Sequence, residues 1–378
     1  MIRGRGAPVF VSGMVAGVPG QGGATWAVLQ YVFGLRALGY DPYVVESVAA
    51  GGLASDVEDY FRDVLEAADL GGRASLLEEG GRALGLSRDR VRSAADEAVF
   101  LLDLAGNLRE PELAERIPVR VYVDLDPAFT QLWQAVEGID MRLDGHTHFA
   151  TVGQDIGGAG CDIPDLGVDW IPTLPPVDLD RWSVAPPPES GAWTTLANWR
   201  GYGSIVHDDR HYGQKAHAFR QIMDLPGRTV ERLEVALAIH ADEVDDLTAL
   251  SENGWSLVDP GRAASTPEGY RDFIARSRGE IGIAKTGYVE ADCAWFSDRS
   301  ACYLATGRPV VARDTGFSRH LPTGLGLLSF RTAEEAASAL EAVEREYPSH
   351  ARAAREIAAA HFDARKVLSR LLGRIGVA

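Results

Sequence analysis

The chain has 378 residues, of which 46% are hydrophobic, and a formal net charge of −17. That length favours two domains, and an acidic chain without a basic tail or stripe argues against nucleic acid or an anionic membrane as the main partner. Three scattered cysteines without metal-ligand spacing, no apolar run near the ~20 residues of a membrane span, and a start that leads straight into a strand fit a reduced cytoplasmic protein.

In chain order, Pro8–Ser12 reads as a buried strand, followed by a glycine-rich loop over residues 13–23. A helix over 24–38, ended by Gly39, and a strand over 43–46 complete one strand–helix–strand unit. The loop lacks G-x-G-x-x-G spacing, so a dinucleotide cofactor is not indicated. Gly22 and Gly23 either let the first helical amides approach a ligand closely or make a plain connection.

Helical stretches follow near 56–68 and 88–98, then strands over 99–103, 118–124 and 149–152, with a helix over 129–136. His146 and His148 alternate on one strand face and are candidate general bases, or one of them is a structural group. Asp124, at a strand's carboxyl end, either orients an acceptor or caps the turn before Pro127.

Seven prolines crowd residues 163–190: Pro164, Pro172, Pro175, Pro176, Pro186, Pro187 and Pro188. Such a run reads as an interdomain linker, not helix or central strand. It divides the chain into an N-terminal domain (1–175), a linker (176–190), a C-terminal domain (191–355) and a final helical segment (356–378). Trp170 and Trp182 are expected to pack on the domains. Beyond the linker, strands over 193–198, 233–240, 255–258, 279–285 and 310–312 alternate with helices. That pattern specifies a second doubly wound parallel sheet, followed by helices over 333–346 and 349–372.

The most informative stretch runs from 285 to 317. A helix over 296–305 has Ser297 as N-cap and Asp298 in its first turn. Thr306-Gly307-Arg308-Pro309 ends it. Val310-Val311-Ala312 is a buried strand, with Asp314-Thr315-Gly316 as a turn at its carboxyl end. In open α/β sheets, strand ends and helix N-termini of this kind hold ligands, anions above all. The chain has 37 Lys and Arg, and only Lys215, Lys285 and Lys366 are lysines. Candidate anion ligands are Arg210, Lys215, Lys285 and Arg299, with the N–H groups of Ser300 and Gly316. Lys215 and Lys285 otherwise read as solvated surface, and Arg299 as a local ion pair with Asp298. Asp314 and Thr315 either bind sugar hydroxyls or form a self-bonded turn.

Two α/β halves joined by a proline-rich linker, with a long C-terminal helix, resemble the GT-B glycosyltransferases over essentially the whole chain. Pro19-Gly-Gln-Gly22-Gly23-Ala24 before a helix is similar to the opening of the retaining, family-4-like enzymes. There the glycine pair faces the donor diphosphate. Arg210-x-x-x-x-Lys215 has the spacing of their basic pair on the same diphosphate, and ACYLATGRPVV (residues 301–311) is similar to their helix–Gly–Pro–Val–Val signature. Ala294 and Cys302 stand where that family has the glutamates of E-x7-E, which marks a divergent subgroup.

The resemblance implies two Rossmann-like doubly wound domains facing a cleft, with the C-terminal helix crossing back. It implies a metal-independent glycosyltransferase using a nucleotide diphosphate sugar as co-substrate, with no tightly bound cofactor. The donor site would comprise Gly22, Gly23, Arg210, Lys215, Lys285, Asp298, Arg299, Ser300, Asp314, Thr315 and Gly316. A small hydroxylated acceptor, as in natural product biosynthesis, is the expected partner, with no nucleic acid. An epimerase or phosphorylase of the same fold, or a non-catalytic nucleotide-sugar-binding protein, are the alternatives. No H-x-x-E-H or paired C-x-x-C appears, so no metal is expected.

Overall fold

The uncharged run Pro8–Ser12 can be buried on both faces, and it becomes β1, at the middle of an eight-stranded sheet in a computed structural model that describes residues 6–188 and 190–377. The other strands of that sheet are β2 (Asp41–Val48), β3 (Ala74–Glu78), β4 (Ala83–Gly85), β5 (Phe100–Leu104), β6 (Val119–Asp124), β7 (His148–Thr151) and β8 (Trp170–Pro172). Their order is β4-β3-β2-β1-β5-β6-β7-β8, and only β4 pairs antiparallel.

The second sheet begins with β9 (Trp193–Asn198). A hairpin of β10 (Ile205–His207) and β11 (Arg210–Tyr212) intervenes before β12 (Leu233–Ala238), β13 (Ser256–Val258), β14 (Gly279–Gly282), β15 (Val310–Arg313) and β16 (Leu327–Phe330). The order β13-β12-β9-β14-β15-β16, all parallel, is the dinucleotide-fold order 3-2-1-4-5-6. The strand order reverses between β1 and β5 in the first sheet and between β9 and β14 in the second. These two switch points are where ligands bind in such sheets.

Several elements differ from the sequence expectations. β3, buried along its whole length, lies between the two helical stretches, where no strand was expected. β8 lies inside the proline-rich stretch; as a sheet edge it tolerates Pro172, which has no ladder N–H to give. The helix expected over 349–372 is broken into Tyr347–Ile357, a π-helical turn over Ala358–Phe362, and Ala364–Arg374. Asp363 caps the last piece by accepting from Arg365 N at 2.9 Å.

That last helix crosses back to the first lobe. It packs on the helix Gly22–Ala37 at Gly34, where an added Cβ would lie 2.6 Å from Leu368 Cδ1 and 2.8 Å from Ala364 Cβ. Beside it the linker pairs with the returning chain: Val177 N donates to Phe362 O at 2.7 Å, and Ala364 N to Val177 O at 2.9 Å. Trp182 is fully buried in the linker, edge-on to Trp26 and Tyr270. Among the described residues no helix is long and apolar enough to cross a membrane.

Candidate active site at the second sheet's switch point

Charged side chains converge on the carboxyl end of the β9–β14 junction. Glu280, on β14, is 0% exposed. A charge on a strand buried on both faces requires a partner, and Arg299 supplies it. Arg299 Nε donates to Glu280 Oε1 at 2.6 Å, and Nη1 to Leu196 O on β9 at 3.0 Å. Burial works to lower the Arg299 pKa, but Glu280 outweighs it and the value rises. Among the described residues Glu280 Oε2 has no hydrogen-bond partner.

Lys215 starts the short helix Lys215–Arg220 and is buried. Burial pushes its pKa well below the usual lysine range, and nearby Arg299 pushes it the same way. Glu280 and Asp298 oppose the shift, yet among the described residues Lys215 forms no salt bridge. Two buried cations therefore share one carboxylate beside the first turn of the helix Asp298–Ala305. Ser297 holds the N-cap position without bonding a first-turn amide through its side chain; Asp298 Oδ1 accepts from Arg299 N at 2.8 Å instead. Ser300, in the same turn, is 2% exposed.

A cavity of about 90 Å³ lies between the lobes next to this turn. Trp26, Tyr31, Leu125, Val152, Tyr270 and Phe296 wall it, and Asp298 stands at its edge. Tyr31 Oη is buried there without a partner. The loop Trp295-Phe296 divides this cavity from the space around Arg299 and Ser300. Trp295 is fixed by stacking on Tyr288, with ring centroids 3.9 Å apart and planes 13° from parallel.

The remaining residues named from sequence lie in other surroundings. Gly22 and Gly23 pack against the second lobe: a Cβ on Gly22 would meet Thr266 O at 2.1 Å, and one on Gly23 the Tyr270 ring at 2.9 Å. Arg210 is half-exposed and pairs with Asp162 at 3.1 Å and Glu290 at 3.7 Å. The spacing that joined Arg210 to Lys215 does not bring them together, because a turn separates β11 from the helix that begins at Lys215; Arg299 is the cation beside Lys215.

Lys285 reaches Asp126 of the first lobe at 3.4 Å, among the rings of Phe129, Tyr202 and Tyr288. The hydroxyls of Tyr202 and Tyr288 also donate to Asp126. Burial lowers the Lys285 pKa, and Asp126 partly restores it. Lys285 thus belongs to an interlobe latch. Asp314 accepts from Gly316 N at 3.0 Å and Ser318 Oγ at 2.8 Å, the self-bonded turn that the sequence left open. Thr315 Oγ1 donates to Trp295 O, and Gly316 has φ +93°, a left-handed conformation that suits glycine.

The candidate bases are also engaged. Asp124 is 0% exposed and accepts from Thr130 Oγ1 at 2.7 Å, Gln131 Nε2 at 2.9 Å, Thr151 Oγ1 at 2.8 Å and Asp126 N at 3.0 Å. It is a turn anchor, with no lone pair left over for a substrate. His146 is half-buried, its Nδ1 3.1 Å from Leu143 O and its Nε2 3.3 Å from Asp103 Oδ2. His148 is the first residue of β7, at the opposite end of the strand from the switch point. The two histidines do not share a strand face, since β7 begins only at His148.

The first sheet's switch point is filled by the chain itself. Val15 N and Ala16 N donate to Glu46 Oε2 at 2.8 Å each, and Gly17 N does so at 3.0 Å. The glycine-rich loop thus makes an anion-binding nest, and Glu46, 2% exposed, occupies it.

No family model matches this sequence, and neither does any curated protein. Solved structures do match over nearly the full length. An alpha-glucosyltransferase in complex with UDP and a 13-mer DNA containing an HMU base has a TM-score of 0.61 at 10% identity, covering 98% of this chain and 100% of that one. Anabaena Alr3699/HepE in complex with UDP-glucose has a TM-score of 0.58 at 12% identity, with 98% and 100% covered. The sucrose-phosphate synthase of Thermosynechococcus elongatus has a TM-score of 0.56 at 11% identity, with 98% and 99% covered.

The chain has the GT-B fold. One expectation is overturned by these neighbours. A small-molecule acceptor with nucleic acid excluded does not follow from a GT-B chain, because the alpha-glucosyltransferase neighbour is in complex with DNA. The inference from net charge failed because −17 is a sum over the whole chain, whereas phosphate contacts depend on the local field of a cleft.

Sequence reasoning passed over Glu280, Glu46 and Arg313. Each left a signal: a carboxylate within a buried strand for the first two, and a cation at a strand's carboxyl end for the third.

Proposed function

We propose that this protein transfers a glycosyl unit from a nucleoside diphosphate sugar to an acceptor hydroxyl. The observation that carries this reading is the buried pair Lys215 and Arg299, sharing one carboxylate at the switch point of a dinucleotide-type sheet in a GT-B chain. Cleavage of the sugar–phosphate bond builds negative charge on the departing diphosphate. Lys215, Arg299 and the first turn of Asp298–Ala305 are arranged to receive it without a metal ion. Residues 191–355 would hold the donor and residues 1–175 the acceptor, with 176–190 as linker and 356–378 as the returning segment. Ligand sites of this kind take roughly 300–1,000 Å³; the polar groove beside Asp314 and Gly316, about 580 Å³, is of that size, whereas the apolar interlobe cavity is about 90 Å³.

Calorimetry with UDP-, GDP- and dTDP-sugars tests this reading. At least one donor binds, and nucleoside diphosphate is released when an acceptor is supplied. UDP is the first nucleotide to try, since two of the neighbours described above hold UDP or UDP-glucose. If no member of the panel binds, the reading fails. A second reading, nucleotide-sugar binding without transfer, is favoured by the engagement of Asp124, His146 and His148 in structural bonds. Binding without turnover toward any acceptor would select it.

A further inference from the structure

Arg313, the last residue of β15, is unlike the other arginines around the cleft. Its Nη2 donates to Gln221 Oε1 at 2.5 Å, while its Nε and Nη1 are buried with no partner among the described residues. The acids that line the groove beside it are already taken. Asp314 accepts from Gly316 N and Ser318 Oγ, Glu290 and Asp162 pair with Arg210, and Asp292 pairs with Arg319. A guanidinium does not lose its proton in a protein, and a buried charge without a counter-charge is strongly unfavourable. Arg313 lines the same small space as Arg299 and Ser300, between the carboxyl ends of β14 and β15 and the first turn of Asp298–Ala305. On its other side it borders a polar groove of about 580 Å³ that opens between the lobes.

We infer that Arg313 is a phosphate ligand of the donor site, opposite Lys215 and Arg299 across that helical turn. The inference rests on the donor reading above and adds a residue that the sequence motifs did not single out. Burial without an acid partner lowers the Arg313 pKa, as expected of a cation whose counter-ion comes from outside the chain. A phosphate oxygen satisfies the two idle nitrogens, and charge-assisted bonds to phosphate are among the stronger hydrogen bonds available.

The test is calorimetry at fixed salt with inorganic pyrophosphate, UDP and uridine on the full chain. Pyrophosphate makes the outcome independent of the base. Arg313→Gln weakens pyrophosphate and UDP about 10-fold or more, Arg313→Lys recovers part of the loss, and any uridine affinity is unchanged. Arg62→Gln, at an exposed ion pair with Asp59 remote from the groove, leaves all three as in wild type. Should Arg313→Gln fail to fold, Gln221→Ala replaces it, freeing the guanidinium from its acceptor; a few-fold change in pyrophosphate affinity supports the assignment and none overturns it. A wild type that binds pyrophosphate or UDP, with Arg313→Gln indistinguishable from it, overturns this inference alone. A wild type that binds neither overturns the donor reading and this inference together.

Discussion

The two sheets share a strand order around their switch points and treat them in opposite ways. In the first lobe, three loop amides close on Glu46, so the positive site is neutralised from within. In the second lobe, among the described residues, buried Lys215 and the buried Nε and Nη1 of Arg313 have no acid bonded to them, and the one carboxylate near Lys215, Glu280, bonds Arg299. Topology offers a ligand crevice to both lobes. Charge left uncompensated points to the second as the one that awaits an anion.

Removing the internal anion tests this contrast most severely. Glu46→Ala orphans three amide donors in a buried loop. It should lower the unfolding free energy by about 3 kcal/mol, read from urea denaturation. An unchanged midpoint would mean that the first lobe does not depend on its own carboxylate, and the contrast dissolves.

Lys215 is the complementary case. Lys215→Met removes a buried, unpaired charge, so it should raise stability by about 1 kcal/mol while weakening nucleoside diphosphate binding by about 2 kcal/mol. A variant that loses stability and keeps affinity would place Lys215 in the scaffold. The same lysine predicts a pH signature. Its pKa in the free protein is depressed below the unfolded value, so the unfolded chain binds more protons between the two values and stability rises with pH across that window. A bound phosphate raises the value, so donor binding takes up a proton there and weakens as pH rises. Calorimetry in buffers of differing ionisation heat measures that uptake, and a binding heat independent of buffer would remove Lys215 from the site.

The smallest effect belongs to the latch. Asp126→Asn leaves Lys285 without its counter-charge and should destabilise the closed form by about 1 kcal/mol. Its signature is a larger radius of gyration in solution scattering without donor; equal curves for the two proteins would show that this contact does not hold the lobes together.

The fold was legible where structure is written locally. Gly307 at a helix end with Pro309 after it, the uncharged Val310-Val311-Ala312, and the strand–helix period mark the second sheet because capping and turn chemistry act over a few residues. β8 was hidden because prolines mark a linker and an edge strand alike. The site was legible in part: Lys215 and Arg299 were named, but not the Glu280 that holds Arg299, 19 positions away. Arg210 pairs with acids and the glycine pair packs on the second lobe, because the packing of one lobe on the other decides what they face. Long-range hydrogen bonds turned Asp124 and His146 into anchors, and such bonds are a property of the folded whole.

The chain crosses between the lobes twice, outward through the linker and back through the segment before Ala364, and the two crossings are stitched by the bonds at Val177. A door hung on two adjacent pins swings about one line and does not slide. Any parting of the lobes would therefore be a rotation about Val177, and a crosslink spanning the mouth far from Val177 is expected to block it, whereas one beside Val177 is expected to leave the swing free.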